Sequence, residues 1–222
     1  MTATHAGHYE SLTARRARHM RHAAITWLAW LACALAITLV VWRRSSRPAS
    51  PGTPPELWPG GALLARDPMR GTIVLFAHPQ CPCTRASISQ LGVALEAIGD
   101  RAAAHVVFVV PDGEPDGWAE TSSWERARVL PGVQIHVDHD GGLARRFHAA
   151  VSGQTVLYDA GGRLAFSGGI TLSRGHEGDN PGRSRLVAIA RNGTASRRDS
   201  PVFGCALFDL DDNDTSATEG TR

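Results

Sequence analysis

The sequence predicts one α/β domain, a sheet covered on both faces, preceded by a single membrane-spanning helix. Two observations carry this. From Gly71 onward, short apolar runs rich in β-branched residues alternate with stretches of helical spacing and close on a hairpin and a last helix. Ahead of them, Ala23 to Trp42 runs for twenty residues without a charge or a proline, which at about 1.5 Å per residue is about 30 Å, the thickness of a hydrocarbon core.

The first 22 residues form a basic tail, with Arg15, Arg16, Arg18 and Arg21 crowded before the apolar run. Trp27 and Trp42 stand near the two ends of that run, where indoles favour the headgroup interface, and Arg43 and Arg44 close it. A globular helix would show a polar face. A cleaved signal peptide would have a shorter apolar core and a small-x-small cleavage site, for which RRSSRPAS is a poor match. The expectation is an uncleaved anchor over residues 23–42. Basic residues on both flanks leave its orientation undecided by charge.

Residues 43–60, rich in Pro and Ser, read as a linker. The domain is expected over residues 61–208. Within it, Thr72 to Ala77 reads as a buried strand. Ala86 to Ile98 has apolar residues at Ile88, Leu91, Leu95 and Ile98, the spacing of an amphipathic helix stopped by Gly99. His105 to Val110 is a second buried strand, Trp118 to Val129 a helix, and Val133 to Val137 a third strand. A short helix is expected over Gly142 to Ala150. Thr155 to Asp159 and Arg163 to Ser167, joined by Ala160-Gly-Gly, form a hairpin, and Ser184 to Arg191 a final helix. Residues 209–222 are acidic, polar and aperiodic, and are expected to be disordered.

A formal net charge of +2 and the lack of any dense basic stripe in the soluble part argue against nucleic acid as a partner. Four cysteines are too few for a disulfide scaffold, so their placement matters. Cys81 and Cys83 fall where the first strand gives way to the first helix. Unpaired backbone N–H groups and the positive end of the helix dipole there favour a thiolate, the nucleophile of disulfide exchange. Pro82 suits the first helical turn. Cys33 lies in the apolar run and reads as a packing residue. Cys205, in Phe203-Gly-Cys, is either a distant partner for Cys81 or a buried tail cysteine. His78 and His176 would complete a soft-metal set with the thiols, although the spacing matches no standard zinc pattern. His136, Asp138, His139 and Asp140 cluster at a turn and read as solvated.

The segment FAHPQCPCTRASISQL resembles the active-site stretch of thioredoxin-like proteins. More narrowly, HPQCPCTRAS, FSGGITLSRGHEGDN and PVFGCALF, in that order, resemble the membrane-anchored RedB-like group of that superfamily. The resemblance covers roughly residues 70–208 and implies a thioredoxin-like fold, a mixed central sheet flanked by helices. Two departures matter. Thr84 stands where the second cysteine of the usual CxxC would fall, and Gln154-Thr155 stands where a cis-proline would precede the hairpin strand.

The resemblance implies a membrane-anchored thiol–disulfide oxidoreductase, without a cofactor, acting on protein thiols or disulfides. Cys81 would be the attacking thiolate and Cys83 or Cys205 the resolving thiol. The domain is expected on the periplasmic or extracytoplasmic side of a cell inner membrane, where disulfides persist. Two other readings are a copper-binding protein holding metal through Cys81, Cys83 and a histidine, and a peroxide-reducing thiol at Cys81.

Overall fold

The computed structural model describes residues 3–61, 64–195 and 197–208. The stretch expected to be disordered, 209–222, lies outside the described residues. The chain forms two compact units, residues 1–45 and 46–222. The first is a continuous helix, α1 (Ala3–Ser45), which takes in the basic tail as well as the apolar run. Its Arg16–Ser45 portion is long and apolar enough to cross a membrane. Ile25, Trp27, Leu28, Trp30 and Trp42 on it are each more than half exposed, a surface suited to lipid rather than water.

The second unit is built on a six-stranded sheet. Strand β1 (Gly71–Ala77) is followed by α2 (Pro82–Ile98), a 3₁₀ turn and β2 (Ala102–Val110). Then come α3 (Ser122–Arg128), β3 (Val133–His139), α4 (Gly142–Arg146), β4 (Thr155–Tyr158), β5 (Leu164–Gly168), α5 (Pro181–Asn192) and a short β6 (Asp199–Ser200). The strand order is β3-β2-β1-β4-β5-β6. Strands β1, β2 and β3 are parallel, while β4 runs antiparallel to both β1 and β5. A parallel β-α-β unit, an antiparallel hairpin and a closing helix beside α2 make the thioredoxin-like arrangement that the sequence resemblance implied.

Strand β1 is central and buried on both faces, and alternation sorts its side chains. Ile73 and Leu75 meet Ile88, Leu91 and Leu186 beneath α2, α3 and α5. Val74 and Phe76 face the other way, toward Phe147, Val156, Tyr158 and Leu207. Among the described residues, only the five-residue α4 offers a helix to this second face. The rest of its cover is irregular chain, including the stretch expected to be a linker. Trp58 packs edge-on to Phe147 and Tyr158 at ring-centroid distances of 5.0 and 5.3 Å. The Tyr158 hydroxyl donates to Pro55 O at 2.8 Å, and Ala49 pairs with Val202. The Pro-rich stretch is therefore a strap laid on the sheet, because an apolar face left bare would be costly in water.

The turn after β3 matches its solvated reading at His139 and Asp140, which are exposed, but not at Asp138 and His136. The Asp138 carboxylate is buried and accepts from Leu143 N at 2.9 Å and Ala144 N at 2.8 Å, satisfying the start of α4. His136 sits 3.0 Å from His105 across β2 and β3.

Candidate functional site

Cys81 ends the loop after β1 and is the N-cap of α2, with extended backbone angles and Pro82 in the first turn. Its N–H donates to His78 O at 3.1 Å, and its own carbonyl accepts from Thr84 N at 3.0 Å. Thr84, at the usual second-cysteine position, is fully buried. Its hydroxyl donates to His78 O and lies 2.8 Å from the Ser152 hydroxyl, which in turn accepts from His78 N at 2.9 Å. Thr84 thus ties the helix start to the loop before β4, where a thiol would have had its redox role.

That loop is where the third cysteine arrives. Residues 202–207 run antiparallel to 150–152: Ser152 N donates to Cys205 O at 2.8 Å and Leu207 N to Ala150 O at 2.9 Å. Phe203 and Leu207 are buried on either side of the cysteine. A Cβ on Gly204 would stand 1.7 Å from Ser152 O, so the close approach demands glycine. The outcome is that Cys81 Sγ and Cys205 Sγ lie 2.9 Å apart, across 124 residues of sequence. That is closer than two sulfurs in ordinary contact and longer than the roughly 2.05 Å of a disulfide. Gln154 holds the loop's other end, accepting from Ala150 N and donating to Gly52 O, each at 3.1 Å.

The three thiols share a charge unequally. Cys81 is pulled down to about 4, first by the hydrogen bond from the Cys83 thiol, then, against the opposing effect of burial, by the Cys205 thiol and nearby backbone N–H groups. Cys83 is pushed up, chiefly by its bond to Cys81 and by burial. Cys205 is pushed up to about 11 by burial and by its bond to Cys81. Arg174 works against both upward shifts. Its guanidinium donates to Gly204 O at 2.5 Å, latching the loop between β5 and α5 to the cysteine segment.

The three sequence motifs therefore converge through Cys81, Arg174 and Cys205. Sequence reasoning marked Thr84 as a departure from CxxC but missed Arg174 and Ser152. An Arg within a polar loop carries no local signal, and Ser152 acts only through partners 68 and 74 residues away. His176 is exposed, Glu177 pairs with Arg85 at 3.8 Å, Asp179 pairs with Arg183 at 2.6 Å, and Asn180 caps α5. The His78 ring lies edge-on to Trp118. Among the described residues, no group of three His, Cys, Asp or Glu side chains is placed to hold a metal. A groove of about 430 Å³ passes Cys81, walled by Pro79, Arg85, Thr121, Ser122 and Glu177.

No protein-family model matches the chain, and no curated protein does. Solved structures do. A hypothetical protein from Sinorhizobium meliloti 1021 superposes with a TM-score of 0.53 at 19% identity, over 73% of this chain and 96% of that one. Lower-scoring likenesses include StoA from Bacillus subtilis, with a TM-score of 0.41 at 16% identity over 64% of this chain and 96% of that one. Another is the exposed lipoprotein thioredoxin Etrx1 of Streptococcus pneumoniae, at 0.41 and 15% identity over 55% of this chain and 84% of that one. The unit from residue 46 onward has a thioredoxin-like fold, a mixed sheet flanked by helices, and follows an apolar helix long enough to span a membrane.

Proposed function

We propose that this chain is a membrane-anchored thiol–disulfide oxidoreductase of the RedB-like kind whose redox pair is Cys81 and Cys205. The observation that carries the reading is the 2.9 Å separation of their sulfurs at the N-terminus of α2. Cys81 is the stabilised thiolate and Cys205 the thiol that closes on it, forming one disulfide and passing two electrons to an acceptor disulfide while Cys205 gives up one proton. Cys83 is a third thiol that helps hold Cys81 low rather than its redox partner. A Cys81–Cys83 bond would close a small ring within the first turn of a helix, whereas Cys205 approaches on an independent strand. The clients are protein thiols or disulfides. The anchor in α1 holds the domain on the extracytoplasmic side of an inner membrane, where disulfides persist.

The test equilibrates the protein in glutathione buffers of graded potential, blocks free thiols and maps disulfides by peptide mass spectrometry. A reversible Cys81–Cys205 bond is the expected result. Thiols that stay free at every potential would end the proposal.

A further inference from the structure

Burial is distributed across the cysteine pair in a way that assigns its two ends different work. Cys81 is 3% exposed and Cys83 8%, whereas Cys205 is the solvent-facing cysteine of the cluster. The groove beside Cys81 passes it without uncovering it. A reagent in solution therefore meets the sulfur on the C-terminal segment, not the one on the helix. We propose that Cys205 is the client-facing catalytic sulfur and Cys81 the internal leaving group, so that the site works chiefly by oxidising client dithiols. This rests on Cys81 and Cys205 being the redox pair.

A client thiolate attacks Cys205 Sγ in the oxidised protein. A client–Cys205 bond forms, the Cys81–Cys205 bond breaks, and the electron pair departs on Cys81. A second client thiolate then attacks the client sulfur of that mixed disulfide, releasing Cys205, which takes up a proton. The client dithiol has lost two electrons and two protons as its disulfide forms; the protein holds the electrons as a Cys81 thiolate and a Cys205 thiol, and the second proton goes to solvent. A disulfide of low molecular weight, such as oxidised glutathione, regenerates the protein, and because it meets the same protonated Cys205 this return is the slow half of the cycle.

The first step is favoured because exchange is faster when the departing sulfur is the more acidic one and the attacked sulfur is the accessible one. Cys81 satisfies the first condition, through the Cys83 thiol and the backbone N–H groups around it, since Cys205 is then held in the mixed disulfide. Cys205 satisfies the second. In the reverse direction the two properties are separated. The thiolate is buried, and the exposed thiol is pushed up to about 11 and stays protonated at neutral pH. A client disulfide then meets a poor nucleophile, and reduction of clients is the slow direction.

The experiment uses the full chain in detergent micelles. The Cys81–Cys205 disulfide is verified by peptide mapping, reduced glutathione is added, and samples are acid-quenched at the earliest times, before exchange with Cys83. Glutathione found on Cys205 about tenfold more often than on Cys81 is the expected result. Glutathione found mainly on Cys81 overturns the assignment while leaving the redox pair intact. Failure of the disulfide to form at all overturns both. A second measurement compares directions: oxidation of glutathione by the oxidised chain against reduction of oxidised glutathione by the reduced chain, at matched concentrations. A first-step rate at least about tenfold higher for oxidation supports the polarity, and equal rates or a faster reduction refute it.

Discussion

The two faces of the sheet are covered by different kinds of structure. On one face α2, α3 and α5 lay regular apolar stripes over Ile73, Leu75, Val106 and Phe108. On the other, α4 shares the work with two irregular segments, the Pro-rich strap around Trp58 and the C-terminal stretch that ends in Leu207 and Phe208. These segments also pair with each other, Ala49 N donating to Val202 O at 2.8 Å. The site lies where the two kinds of cover meet: Cys81 and Cys83 start a regular helix, and Cys205 rides on an irregular strand. The difference teaches that half of the chemistry is set by local structure and half by tertiary closure.

The comparison breaks most completely at Cys205. Cys205→Ser should abolish the reversible disulfide, while Cys83→Ser should retain it, as disulfide mapping across glutathione potentials would show. A disulfide that survives loss of Cys205 but not of Cys83 would mean that the local CPC pair suffices and the irregular segment is only cover.

Next in size is the strap. Trp58→Ala removes an indole packed on Phe147 and Tyr158 and should cost about 3 kcal/mol in urea unfolding. An unchanged midpoint would return residues 43–60 to the role of a free linker. Gly204→Ala places a methyl against Ser152 O and should cost about 2 kcal/mol. It should also speed alkylation of reduced Cys205 by loosening the strand; slower or unchanged alkylation would show that the segment is held by something other than this approach.

A titration sharpens the helical side. In the reduced protein Cys81 is held near 4, against 9.0 for an ordinary thiol. Between those values the unfolded chain binds one more proton than the native one, so this contribution to stability rises with pH. It is fully present above about pH 9 and lost as the pH falls through about 4. Above pH 9 the raised Cys83 and Cys205 reverse the slope. The oxidised protein, with Cys81 tied up, lacks the effect. His105, lowered to about 4 by burial first and by the charge of His136 second, affects both redox forms alike and cancels in the comparison. Urea titrations at pH 5 and 8.5 should show the reduced form gaining on the oxidised form. A gap that does not move with pH would mean Cys81 is not a native-state thiolate.

What was legible in the sequence follows from where each signal is stored. The strand at Thr72–Ala77 and the helix through Ile98 were read within a few residues, because alternation and 3/4 spacing are properties of neighbours. The helix begins earlier than its apolar pattern, at Pro82, since Pro and Cys81 form its cap rather than its stripe. The fourth helix is shorter than expected, ending at Arg146, with His148 at a positive φ of 49° just beyond.

By itself the sequence determined that a helix of membrane length precedes an α/β domain, and that two thiols sit where a helix N-terminus favours an anion, because each depends on residues a few positions apart. Only the tertiary structure decided that the Pro-rich stretch is a strap, that Asp138 is buried, and that Arg174 and Cys205 reach Cys81. Those outcomes depend on which distant backbone groups remain to be paired and which apolar face remains to be covered once the regular elements have packed.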